Sequence, residues 1–208
     1  MFLVCVGLLV TLVGCQKTSS NSTTTTNETT VEASEEFVFL EENVGKSVEE
    51  LTAILNDELT PVAESSNVYL DSNGVQYSFQ NDKLVIMKYT YQDVEEGFNT
   101  VRRVYESINA SVGDERLDNI TENEKTFKDV LTLDDLRALP ASSDGAYVCS
   151  SNWFYEKEGV NWEPSNPDNE IVMKVWEANQ KRPMLVLDVR LYDSELWMSI
   201  GFNAVPVE

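Results

Sequence analysis

Histidine is absent from the 208 residues. With it go the commonest general base, every His-dependent nucleophile triad and the imidazole metal ligand. Basic residues are scarce as well: fifteen Lys plus Arg stand against thirty-six Asp plus Glu, a formal net charge of −21. So acidic a chain has no phosphate-neutralising patch of the kind non-specific DNA or RNA binding requires, which excludes nucleic acid as a partner. The nine glycines are scattered and build no phosphate-cradling loop, so no nucleotide and no cofactor is expected. Cysteine occurs three times, at Cys5, Cys15 and Cys149. Beyond residue 14 no apolar run approaches the length of a membrane span. What is present is a 42% hydrophobic composition, enough for a real core, so disorder throughout is excluded.

From Phe2 to Gly14 the chain is apolar except for Cys5 and Thr11. That is the length of a signal-peptide core and too short to cross a bilayer. It ends at Leu12-Val13-Gly14-Cys15, which resembles the lipobox of bacterial lipoproteins. The resemblance implies cleavage after Gly14 and lipidation of the Cys15 thiol, and two acyl chains hold a protein on a membrane where one does not. No basic residue precedes Lys17, a departure from the usual lipoprotein signal.

Residues 17–30 read KTSSNSTTTTNETT, a stretch with no large apolar side chain to offset the entropy of ordering it. It reads as a flexible tether with a reach of about 25 Å. The resulting division is a signal peptide over 1–14, a lipidated cysteine and Ser/Thr-rich tether over 15–36, and a folded part over 37–208. With Cys5 removed and Cys15 acylated, Cys149 has no partner for a disulfide; within Ala146-Tyr147-Val148-Cys149 it reads as a small buried hydrophobe.

The folded part reads as α+β. Ser47-Val48-Glu49-Glu50 is a capping box opening a short helix to Asn56. Alternating apolar residues around Asn73-Gly74 predict a hairpin, and Lys83–Tyr91 a further strand. Asp93 caps a long helix with its stripe at Phe98, Val101, Tyr105, Ile108 and Val112, stopped by Gly113. Residues 114–129 read as a polar surface excursion, and Thr132 caps a helical turn. Strands are expected at Ala146–Ser150, Asn152–Glu156, Glu170–Glu177, Met184–Leu191 and Leu196–Phe202, antiparallel by their short links. The order is helix then strands, twice, with sub-units 37–92 and 93–208 and helices packed on one face of the sheet or sheets. Gly45-Lys46-Ser47-Val48-Glu49-Glu50-Leu51, Val75-Gln76-Tyr77-Ser78-Phe79 and Lys83-Leu84-Val85-Ile86-Met87 together resemble small Gram-positive envelope lipoproteins of uncharacterised function. The element order is similar to the beta-lactamase-inhibitor-like fold, and this likeness carries no functional residue across.

Candidate chemistry is sparse. Trp153, Tyr155 and Trp162 surround a Gly-containing loop and are the candidate ligand-binding residues, since aromatics anchor sugars, peptides and proteins. Trp176 and Trp197 lie in apolar-rich segments and read as sheet packing. Asp71-Ser72-Asn73-Gly74 opens like a calcium loop, but its twelfth position is Asp82 where the motif needs a bidentate Glu. The turn reading is preferred and no metal site is expected. Ser47 and Ser199 show no Ser–Lys nucleophile spacing. Three functions remain: a non-enzymatic binding module at the cell envelope, a carboxylate-based glycan hydrolase, or an inhibitor of an envelope or secreted enzyme. The expected partners are the membrane through the lipid anchor, and a protein, peptide or cell-wall glycan.

The anchoring expectation is checked by Cys15→Ala. It should abolish incorporation of labelled fatty acid and release the chain from the membrane fraction; undiminished label and full retention would contradict it.

Overall fold

The computed structural model describes residues 33–63, 66–116 and 125–207. The signal-peptide reading, Cys15 and the Ser/Thr-rich stretch lie outside the described residues. The fold confirms the α+β class: the described residues form five helices and nine strands, with one seven-stranded antiparallel sheet at the centre.

Helix α1 (Glu35–Asn43) is an addition to the expected elements and takes in the acidic end of the expected tether. Ser34 caps it by accepting from the Phe37 amide, Glu35 and Glu36 favour its positive end, and Phe37 and Leu40 are buried one turn apart. Helix α2 (Val48–Leu55) has the expected capping box, and Asn56 ends it in the left-handed conformation at φ 50°. Strands β1 (Thr60–Pro61), β2 (Val68–Leu70), β3 (Gln76–Gln80) and β4 (Lys83–Tyr91) follow as a meander. Asp71 caps the turn: one carboxylate oxygen accepts from the Asn73 and Val75 amides and the other from the Tyr77 hydroxyl.

Helix α3 (Val94–Val112) begins at the Asp93 cap, buries Phe98, Val101, Val104, Tyr105 and Ile108 along one stripe, and ends at Gly113. Gly97 on this helix lies against Tyr91 of β4; a Cβ there would sit 2.7 Å from the tyrosine Cβ, so the helix can approach the sheet this closely only without a side chain. Helix α4 (Leu133–Arg137) carries the Thr132 cap. The end of the expected surface excursion is instead core: Phe127 is fully buried, with its ring centroid 5.9 Å from that of Tyr105 and 6.0 Å from that of Phe98.

Strand β5 (Tyr147–Phe154) runs unbroken in place of the two expected strands, because Ser151 is buried and its hydroxyl accepts from the Phe127 amide. Then come β6 (Asn161–Pro164), helix α5 (Glu170–Ala178), β7 (Met184–Leu191), β8 (Leu196–Phe202) and β9 (Ala204–Val207). The expected strand over 170–177 is therefore wrong. Ile171, Val172 and Val175 suggest β structure, but Asn169 caps the segment, Glu170 pairs with Lys174 at 2.7 Å, and Trp176 is buried on one helical face. Strands β6 and β9, which the sequence does not reveal, pair into a separate two-stranded ribbon.

The main sheet runs in the order β1-β2-β3-β4-β8-β7-β5. The two halves of the chain thus share one sheet, joined where β4 pairs with β8. Helices α1 and α3 pack on a single face, against β4, β8 and, for α3, β7. Alternation in the strands shows which face: Leu185, Leu187, Val189 and Leu191 of β7, and Leu196, Met198, Ile200 and Phe202 of β8, are buried.

Trp153 is wholly enclosed beneath α3, and its indole Nε1 donates to Asn109 Oδ1 at 2.8 Å. Trp153→Ala removes that packing and leaves the Asn109 oxygen unpaired, so a loss of about 3–5 kcal/mol of unfolding free energy is expected. Urea unfolding checks this; a change below about 1 kcal/mol would contradict the enclosed position.

Candidate functional site

The aromatic trio singled out in the sequence is largely structural. Trp153 cannot touch a ligand from its buried position. Tyr155 is also buried, its hydroxyl donating to Glu41 of α1 and its ring 4.8 Å from that of Phe202. Burial pushes its phenol upward, with the Glu41 hydrogen bond adding to the effect. Trp162 is half-buried on β6, packed edge-on to Tyr155 at 5.7 Å. Tyr155 and Trp162 do border a recess of about 500 Å³ with Val160, Pro183 and a charged rim of Glu156, Lys157 and Glu158. These two residues therefore keep a place beside a surface hollow, whereas Trp153 does not. Cys149 is buried, its thiol donating to the Lys125 carbonyl at 3.2 Å, and burial drives its pKa up to about 12. It is poorly suited to act as a thiolate nucleophile.

A different surface carries the chemistry. Residues that alternate with the buried set point away from α1 and α3, and the sheet's registration lines them up in rows. One row across β4, β8, β7 and β5 reads Lys88, Ser199, Asp188, Ser150; the next reads Thr90, Trp197, Arg190, Val148; the third reads Ile86, Gly201, Val186, Asn152. Two recesses adjoin here, both bordered by Asp188 and Ser199. The first, about 410 Å³, adds Lys88, Asp144, Arg190, Tyr192 and Trp197. The second, about 310 Å³, is more apolar, with Ile86, Val186, Gly201 and Phe202. Gly201 shapes the second: a Cβ on it would meet Ile86 Cγ1 at 2.6 Å and the Val85 carbonyl at 2.7 Å.

The electrostatics of this face are uneven. Lys88 Nζ lies 3.3 Å from the centroid of the Trp197 ring, a cation–π contact, and desolvation pulls its pKa down. The Trp197 indole is held in turn by Glu195, which accepts from Nε1 at 2.8 Å, and by Tyr192 at a centroid distance of 4.7 Å. Asp144 is heavily engaged: Ser142, Arg190 and Tyr192 all donate to it, and the Ser142 hydrogen bond leads in holding its carboxyl below the usual range. Asp188 is the opposite case. The Ser150 hydroxyl donates to its Oδ1, but burial dominates and raises its pKa, against a smaller opposing pull from Arg190. Sequence pattern assigns Trp197 to the packing of the sheet and gives Ser199 no role; the structure places both on the uncovered face.

Among the described residues no group of three or more acidic or cysteine side chains could hold a metal ion. Comparison with family models, with curated proteins and with solved structures finds no match to this chain.

Asp188 generates a pH test. An acid whose pKa is raised by folding costs stability progressively as the pH climbs from the ordinary Asp range to the raised value, in full above it, and costs nothing below that range, where folded and unfolded forms are both protonated. Asp188→Asn keeps an acceptor for Ser150 and removes the charge. It should therefore melt higher than the parent at pH 7, with the difference vanishing near pH 3. An equal or lower melting temperature at pH 7 would contradict the assignment.

Proposed function

We propose that this chain is an extracytoplasmic lipoprotein, held to the cell membrane through Cys15, that works as a non-enzymatic binding module. Its ligand surface is the uncovered face of the sheet, and its partners are a peptide, a protein or a cell-wall component. The lipobox-like Leu12-Val13-Gly14-Cys15 supports the location. The observation that carries the binding role is the convergence on that face of Lys88, Asp188, Trp197 and Ser199, from three strands, around two adjoining recesses. Aromatic, cationic and apolar groups presented together on a rigid sheet are the ingredients of a binding surface. The sheet also positions them without the mobility of loops.

One observation favours a second reading, the glycan hydrolase. Asp188 and Asp144 border the same recess with pKa values displaced in opposite directions, the pattern of an acid beside an ionised carboxylate. Asp144 is nevertheless saturated by Ser142, Arg190 and Tyr192, which leaves it little freedom as a base or nucleophile, so binding is preferred.

Hydroxyl-radical footprinting tests the reading even while the ligand is unidentified. On chain in intact envelopes, Trp197 and Ile86 should oxidise at least about threefold more slowly than on purified chain, the ratio expected for a site mostly occupied. Leu131 and Ile171, exposed elsewhere at 64% and 73%, should not change. Equal rates at Trp197 in the two settings, or protection confined to Leu131 and Ile171, would contradict the open face as the binding face.

A further inference from the structure

Two opposite charges share the larger recess without satisfying each other. Lys88 Nζ rests on the Trp197 ring, and among the described residues no carboxylate oxygen comes within 4.0 Å of it. Glu195 is the nearest acid in electrostatic effect, yet its oxygens accept from Trp197 and Gln92. Asp188, on the far side of Ser199 in the same row, likewise has no cation within 4.0 Å among the described residues; its one hydrogen bond from them comes from Ser150. Arg190, the other cation bordering the recess, is bound to Asp144. Strand spacing places the Lys88 and Asp188 backbones about 10 Å apart, with the Ser199 hydroxyl between them. The apolar recess of Ile86, Val186, Gly201 and Phe202 opens beside the same Asp188 and Ser199.

Leaving a partly desolvated cation and a partly desolvated anion unpaired is unfavourable, and a ligand bearing both complementary charges at close spacing would relieve both at once. We infer that this recess binds a free α-amino acid with an apolar side chain, its carboxylate on Lys88, its ammonium on Asp188 and its side chain in the hollow between Ile86, Val186 and Gly201. Ser199, between the two, is placed to donate to the carboxylate. A singly charged ligand satisfies only one of the two groups and leaves the other without a counter-ion. Burial raises the Asp188 pKa and lowers that of Lys88, which is the response of two groups that lack counter-ions, and an occupying zwitterion would reverse both.

The inference rests on the open face being the binding face, and it can fail while that reading survives. Calorimetric titration of the purified full chain in detergent would use leucine, N-acetyl-leucine, which lacks the ammonium, and leucinamide, which lacks the carboxylate. Leucine should bind saturably, and each derivative should bind at least about tenfold more weakly, the loss expected for one charge-assisted hydrogen bond. Lys88→Met and Asp188→Asn, with melting temperatures showing that they remain folded, should each weaken leucine binding by a similar factor. No saturable leucine binding up to ~10 mM, a range that reaches weak ligands, would overturn the inference. So would equal affinity for leucine and either derivative, or leucine binding unchanged in both variants. Protection of Trp197 in envelopes together with no leucine binding would overturn only the amino-acid assignment and leave a larger partner on the same face.

Discussion

Antiparallel pairing of β4 with β8, through six residue pairs from Ile86–Gly201 to Tyr91–Leu196, is where the strands of the first half meet those of the second in the main sheet. Register in such a pair is set to the residue, because a slip by one would turn every side chain to the opposite face. With the observed register, Met87, Tyr89 and Tyr91 face α1 and α3 beside Ile200, Met198 and Leu196. Lys88 and Ile86 consequently emerge on the other side, next to Ser199 and Gly201. The hydrophobic core and the polar face are thus two outcomes of one registration. The apolar burial under the helices, at roughly 25 cal/mol per Å², holds a charge arrangement that the face could not hold by itself.

The open face carries polar groups that are only partly satisfied, and the rest of the fold tolerates them because so much of the sheet is well packed on its other side. Asp188 has one hydroxyl donor and Lys88 has an aromatic ring in place of a carboxylate. By contrast, Asp71 and Asp144 are each closed by several donors. Carboxylates that do structural work are hydrogen-bonded fully. Asp188, with its single donor and raised pKa, lies on the surface with recesses, and perturbed carboxylates of this kind cluster at functional sites.

Local grammar is the legible part of this sequence. The Ser47, Asp93 and Thr132 caps, the Asn73-Gly74 turn and the alternation of β4 and β7 are short-range signals, and the structure follows them. Segment 170–177 misleads because β-branched residues favour strands while periodicity over eight residues hardly separates strand from helix; the Asn169 cap is the clue that decides it. Helix α1 hides behind the low-complexity stretch, although Ser34 followed by two acids and Phe37 and Leu40 mark its start. The face formed by Lys88, Asp188 and Ser199 cannot be assembled by inspection, since Lys88 lies a hundred residues or more from the other two and only the β4–β8 register brings it beside them. A partial signal exists: Asp188 and Arg190 stand at alternate positions within an otherwise apolar strand, where charges mark an uncovered side. Trp153 misleads for the converse reason, as a large aromatic beside a loop is enclosed once a helix lies over its strand.

Native-state hydrogen exchange resolved by residue tests the seam most directly. If β4–β8 pairing unites both halves into one cooperative sheet, the protected amides of β3, β4, β8 and β7 should all open with the same free energy, equal to that of global unfolding. Two distinct plateaus dividing between β4 and β8 would mean that the halves open separately, which would contradict one cooperative sheet across the seam.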